Sequence, residues 1–283
     1  MKRFLAGACL ALTAATGAQA ATIFGVDENN NLVTFNSGAP GAFTSSVRIT
    51  GVGLDESLQA LDFRSSNGAL YGLSAGRNLY RIDALTGVAT QIGGTLAITG
   101  GQFGFDFNPV VDAIRIVSND NTNYVVNPDT GAVTNATNVF YPAGDPNAGR
   151  DPGVTANAYL TNSAVQFAID TDNDVLVRQA NSMGTLTTVG PLSIPPSDIV
   201  GTRTSFDILG SDSFVQNGRN FYSVNLDTGL LSLVGRTNES LFGIAISPGA
   251  VPEPATWAMM LLGFGFVGYS ARRRARVRFA QAA

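Results

Sequence analysis

The sequence predicts an all-β chain, a β-propeller of five blades with one composite blade, followed by a C-terminal transmembrane helix. Three observations carry this. Short alternating runs are punctuated by glycine and asparagine, as expected of strands and tight turns. A four-strand pattern returns every ~40–50 residues, the period of a propeller blade. The first and last such units are incomplete in complementary ways.

The pattern is plainest in residues 58–93, where "ALDF", "ALYGLS", "NLYRID" and "VATQIG" read as four strands, with "LTG" turning between the last two. A second unit runs "FGFDF" (103–107), "AIRIVSN", "NYVVNP", the turn "DTG" and "AVTNA". A more divergent third has "NAYLTN" (157–162), "VQFAID", "DVLVRQ", "NSMG" and "TLTTVG". The fourth has "SFDIL" (205–209), "SFVQN", "NFYSVNL", "DTG" and "LLSLVG". Gly87, Gly131, Gly184 and Gly229 recur at one turn, where glycine supplies a positive φ without steric cost.

The N-terminus carries "TIFGVD", "NLVTFN" and "SSVRIT" with no first strand, and "LFGIAIS" (241–247) is a first strand with no successors. Together they complete a fifth blade, and closure by both termini removes the exposed edges of an open sheet. First-strand anchors fall near Leu61, Phe105, Ala158, Phe206 and Ile244, spaced 44, 53, 48 and 38 residues apart. A twisted sandwich or an irregular solenoid is the rival architecture. Between blades two and three, "NVFYPAGDPNAGRDPGVT" (138–155) is too rich in proline and glycine for a strand and is expected to form a long surface loop.

The ends are separate segments. Residues 1–20 place Lys2 and Arg3 before an apolar run and end in Ala18-Gln19-Ala20, the order of a secretory signal peptide cut by signal peptidase. The body is thus 21–250 and the tail 251–283. From Ala255 to Ala271 no residue is charged; as a helix these 17 residues span ~25 Å against a ~30 Å hydrocarbon core. Arg272, Arg273 and Arg274 follow, and such a cluster stays cytoplasmic, leaving the body outside.

Charge and composition exclude several functions. The body holds ten arginines, no lysine and twenty acids, a net charge of −10, which repels nucleic-acid phosphates. The chain has no histidine, and its one cysteine, Cys9, lies in the signal segment. Histidine-based catalysis, thiolate chemistry and ordinary zinc sites are therefore excluded, and no disulfide is expected. Carboxylates remain, and a hydrolase or lyase built on a pair of them is the catalytic alternative. Twenty scattered acids single out no pair, so no enzyme and no cofactor are expected.

Asp170, Asp172 and Asp174 in "DTDND" have the every-second-residue spacing of calcium-loop oxygens. Val175 stands where the loop glycine belongs and no glutamate closes the loop, so a hairpin turn is the plainer reading, as for "DENNN" (27–31). "DPNAGRD" (145–151) offers similar oxygens. Aromatics such as Tyr71, Tyr80, Phe107, Phe167 and Phe221 sit in apolar runs and are expected in the core rather than stacked on sugars.

Two prolines around Glu253 keep the backbone extended and unpaired, the form a peptidase groove binds. Pro252-Glu253-Pro254, the apolar run and the arginine cluster, in that order, resemble the PEP-CTERM sorting signal of exopolysaccharide-forming Gram-negative bacteria. The resemblance implies that exosortase, a membrane transpeptidase-like enzyme, cuts near the motif, after a transient inner-membrane stage. It then releases the body or transfers it to the cell surface or the extracellular matrix. The body resembles the family called domain of unknown function 4394, through "LDFRSSNGALYGLSAGRNLYRIDALTGVATQIG", "FGFDFNPVVDAIRIVSND" and "GTLTTVGPL". That resemblance implies no activity. The expected protein is an exported, non-catalytic component of the envelope or matrix, with exopolysaccharide as a partner. A carbohydrate- or calcium-binding matrix module is the alternative.

Overall fold

The computed structural model describes residues 20–54, 56–194 and 203–249. The signal segment with Ala18, and the tail with its Pro-Glu-Pro motif, apolar run and arginines, lie outside the described residues. Ala20 is the first described residue and is exposed. Among the described residues no helix is long and apolar enough to cross a membrane.

Among the described residues, twenty strands form five antiparallel four-stranded sheets. Blade one comprises β4 (Leu58–Arg64), β5 (Ala69–Ser74), β6 (Leu79–Ile82) and β7 (Ala89–Ile92). Blade two comprises β8 (Phe103–Asn108), β9 (Ala113–Ser118), β10 (Asn123–Val126) and β11 (Val133–Asn135). Blade three comprises β12 (Val154–Tyr159), β13 (Gln166–Asp170), β14 (Val175–Gln179) and β15 (Leu186–Pro191). Blade four comprises β16 (Thr204–Leu209), β17 (Asp212–Asn217), β18 (Asn220–Val224) and β19 (Leu231–Arg236). Blade five is composite: β20 (Leu241–Ile246) pairs with β1 (Thr22–Asp27), followed by β2 (Asn31–Asn36) and β3 (Phe43–Arg48). The first strands β4, β8, β12, β16 and β20 touch one another in a closed cycle around the axis.

Burial follows from this ring. First strands are covered on both faces by neighbouring blades, so β12 is buried along its whole length, while the outer β3 and β19 are mostly exposed. The core is therefore five clusters, one at each seam between blades. Edge-to-face rings span three seams, Phe24 on Phe63 at 5.3 Å, Tyr71 on Phe107 at 5.1 Å and Phe35 on Phe221 at 5.3 Å.

The recurrent glycines do two jobs. All four have positive φ, from 70° to 83°. At three of the turns the side chain of Asp83, Asn127 or Asn225 also accepts the backbone N–H groups two and three residues on. Each glycine in addition presses on the edge of the preceding blade. A Cβ on Gly184 would lie 2.3 Å from the carbonyl oxygen of Asn138, and one on Gly229 2.6 Å from that of Gly190.

One expectation is refined and one corrected. The 138–155 stretch runs as a long surface loop as far as Gly153, docked through buried Val139, Tyr141, Asn147, Pro152 and Gly153, and its last two residues already begin β12. It is held because Asp145 accepts the Thr188 N–H and hydroxyl at 2.8 and 2.7 Å, and Tyr141 donates to Asp170. The blade-three anchor is Asn157 and not Ala158: cross-blade bonds set Tyr159 level with Phe107 and Ile246. A search for apolar residues at that position slips by one, because here the position is polar.

Candidate functional site

The axis is built in layers, one residue per first strand. Gln59, Phe103, Thr155, Thr204 and Phe242 ring its mouth, around a cavity of about 140 Å³ that Gln102 also lines. Next come Ala60, Gly104, Ala156, Ser205 and Gly243, whose small size lets five strands converge. A Cβ on Gly243 would stand 2.8 Å from the Ala60 Cα. Below lie Leu61, Phe105, Asn157, Phe206 and Ile244, and four of these five line a second cavity of only about 10 Å³. The fourth layer is Asp62, Asp106, Ala158, Asp207 and Ala245.

In that layer three carboxylates, one each from β4, β8 and β16, bring oxygens within 4.8 Å of one another. All three residues are buried. Each clasps the following blade: Asp62 accepts the Phe107 N–H at 2.7 Å, Asp106 that of Tyr159 at 3.1 Å, and Asp207 that of Ile246. Asp62 and Asp207 also each accept the N–H of the next residue in their own strand. Burial, with mutual repulsion, pushes Asp62 and Asp106 well above the usual carboxylate range, and burial pushes Asp207 up to about 6. No ion pair among the described residues reaches any of them. Among the described residues, these three aspartates are the group placed to hold a metal ion.

The predicted calcium residues lie elsewhere, at the β13–β14 turn. Asp170 is buried, and its Oδ1 accepts N–H groups of Gly153, Asp172 and Asn173, while Oδ2 accepts from Tyr141 and Asn173. Its oxygens thus serve the turn, as those of Asp27 do in the "DENNN" turn. Asp174 is raised by burial and by the charges of Asp170 and Asp172. The blade aromatics Tyr71, Tyr80, Phe107, Phe167 and Phe221 are buried in the core.

The axial aspartates were missed although a signal existed. "LDF", "FDF" and "FDI" carry an aspartate at the same repeat position in three blades. Read singly, each is a polar residue inside an apolar strand; only ring closure brings them together.

The family described as domain of unknown function (DUF4394) matches residues 31–245, from β2 almost to the end of β20. The chain belongs to this family. A second match, to the PEP-CTERM protein-sorting motif, covers residues 250–274, which include Pro252, Glu253, Pro254, Arg272, Arg273 and Arg274. That motif implies an exported protein, sorted by exosortase to the cell envelope or surface. No curated protein matches the chain in sequence. Among solved structures, the DUF4394 chain is similar to a protein of unknown function from Bacteroides thetaiotaomicron, at 14% identity and TM-score 0.50, over 77% of this chain and 58% of that one. It thus spans little more than half of that protein's length, and the likeness concerns fold alone. A chain of a nidogen/laminin complex aligns at 10% identity and TM-score 0.49, over 80% of this chain and 98% of its own.

Proposed function

We propose that this protein is a non-catalytic propeller of the extracellular matrix or cell surface in an exopolysaccharide-producing Gram-negative bacterium, set in place by exosortase after a transient inner-membrane stage. The observation that carries this is the position of the sorting motif relative to ring closure. β20, the strand that closes the ring, ends at Ile246, and the matched motif begins at residue 250. Cleavage near Pro252-Glu253-Pro254 therefore leaves every strand of the ring in the mature body. Signal peptidase acting after Ala20 likewise cuts before β1 at Thr22.

The axial geometry supports the non-catalytic reading. A pair of acids that hydrolyses glycosides must flank a sugar ring. The three axial aspartates instead lie beneath a cavity of about 10 Å³, space for one water at most. The body's net charge of −10 suits a soluble, hydrated matrix component.

Intact-mass spectrometry of the protein recovered from its native host tests the proposal. The expected species starts near residue 21 and ends within a few residues of Glu253. Recovery of chains that all retain the tail through Ala283 would overturn it.

A further inference from the structure

We propose that the propeller axis binds one hard divalent cation of the calcium class, ligated by Asp62, Asp106 and Asp207 and completed by the carboxamide oxygen of Asn157, directly or through a water. This goes beyond the sorting reading and stands or falls independently of it.

Geometry is the first support. Calcium takes oxygen ligands at about 2.3–2.6 Å, so three oxygens sharing one ion stand up to about 4.0–4.5 Å apart. The three carboxylates, within 4.8 Å of one another, come close to that spacing. The donors are all oxygens, in a chain with no histidine and with its only cysteine in the signal segment, which favours calcium or magnesium over softer metals. A carboxylate has about four lone-pair sites, and the backbone bonds use two on Asp62, two on Asp207 and one on Asp106. Those bonds aim the carboxylates at the axis and leave lone pairs free.

Charge is the second. Three buried acids with no basic partner among the described residues are costly unless they are protonated or bind a metal.

Asn157 is an independent third. It is 1% exposed, and neither its Oδ1 nor its Nδ2 has a hydrogen-bond partner. Blades one, two, four and five place Leu61, Phe105, Phe206 and Ile244 at this position, so packing does not demand a carboxamide. Asn157 lines the 10 Å³ cavity and points at Gly104, where a Cβ would stand 2.3 Å from Oδ1. Gly104 lies two residues before Asp106 on one face of β8, and Asp106 reaches across the same seam to Tyr159. The orphaned amide thus shares a seam with the carboxylate that has an unbonded oxygen. Thr155, whose hydroxyl is also buried and unpartnered, lines the mouth cavity.

The test uses the full-length chain purified in detergent, stripped with EDTA and titrated with calcium chloride in a calorimeter. Metal content is then read by mass spectrometry after desalting. The expected result is one calcium per chain. Asp106→Asn keeps an acceptor for the Tyr159 N–H and is expected to weaken binding at least about tenfold. Asn157→Leu, which installs the blade-one residue, weakens it by a smaller factor. Asp172→Asn binds like the parent, separating the axis from the β13–β14 turn. Lack of binding at about 1 mM calcium, the range of weak extracellular sites, overturns the proposal. So does binding that survives both axial substitutions, or that Asp172→Asn abolishes. If Asp106→Asn fails to fold by circular dichroism, the parent and Asn157→Leu decide: one calcium per parent chain with weaker binding in Asn157→Leu supports the axial site, and parent affinity in Asn157→Leu overturns it.

Discussion

The carboxylate of Asp62 in blade one accepts the backbone N–H of Phe107 in blade two at 2.7 Å, across the seam where Tyr71 meets the Phe107 ring. Asp106 and Asp207 repeat this bond at two further seams. The aspartates that crowd the axis are thus also its stitching. Asp62→Ala leaves the Phe107 N–H buried and unpaired, at a cost of about 1–3 kcal/mol. Asp62→Asn keeps one carbonyl oxygen for the Phe107 N–H, so it loses less. Urea midpoints measured in EDTA check the order; an alanine variant as stable as the asparagine variant would contradict the clasp.

Gly184 and Gly210 separate backbone conformation from close approach. Both have positive φ, 70° and 63°, but Gly210 faces open space whereas a Cβ on Gly184 meets the carbonyls of Asn138 and Thr137 at 2.3 and 2.5 Å. Gly210→Ala is expected to cost about 1 kcal/mol for the left-handed conformation alone. Gly184→Ala is expected to cost about 2–3 kcal/mol, because blade two must also move. Equal losses in denaturant would mean that the seam is not close-packed there.

Arg64 ties blade one to two turns of blade two, bonding both oxygens of Asp112 and both of Asp129. These bonds hold both carboxyls below the usual aspartate range. A carboxyl depressed in the folded state contributes stability that is complete above its unfolded value, near 4. That contribution is lost as pH falls through the folded value. Arg64→Met therefore lowers the unfolding midpoint at pH 7, and the gap from the parent narrows by pH 3. A gap that stays constant would assign the loss to packing of the arginine stem.

Tyr141 anchors the 138–155 segment through its hydroxyl on Asp170 at 2.5 Å. Burial and the Asp170 charge push the phenol above its ordinary value, so it remains a donor throughout the neutral range. Tyr141→Phe removes a bond to a charged acceptor, worth about 1–3 kcal/mol. Amide exchange is expected to quicken chiefly across residues 139–153, the stretch that the bond holds down.

Glu253→Ala is expected to leave the body joined to its tail in the membrane fraction, with its melting temperature unchanged because the ring closes before residue 250. Normal cleavage and release of this variant would remove the Pro-Glu-Pro motif from the processing step.

Much of the architecture follows from local chemistry. Strand alternation, turn glycines and the complementary incomplete ends of the chain are local patterns, and they specify five blades and the pairing of β20 with β1. The sorting segment is legible for the same reason, since proline, an apolar run and arginines act in fixed order along the chain. The axial site is not local. Asp62, Asp106 and Asp207 are separated by 44 and 101 positions, and nothing in a single strand says that their side chains meet. Ring closure decides that, by turning one repeat position toward a common axis. It also buries their charges together and leaves the Asn157 carboxamide without a partner in a seam where the other blades carry hydrocarbon.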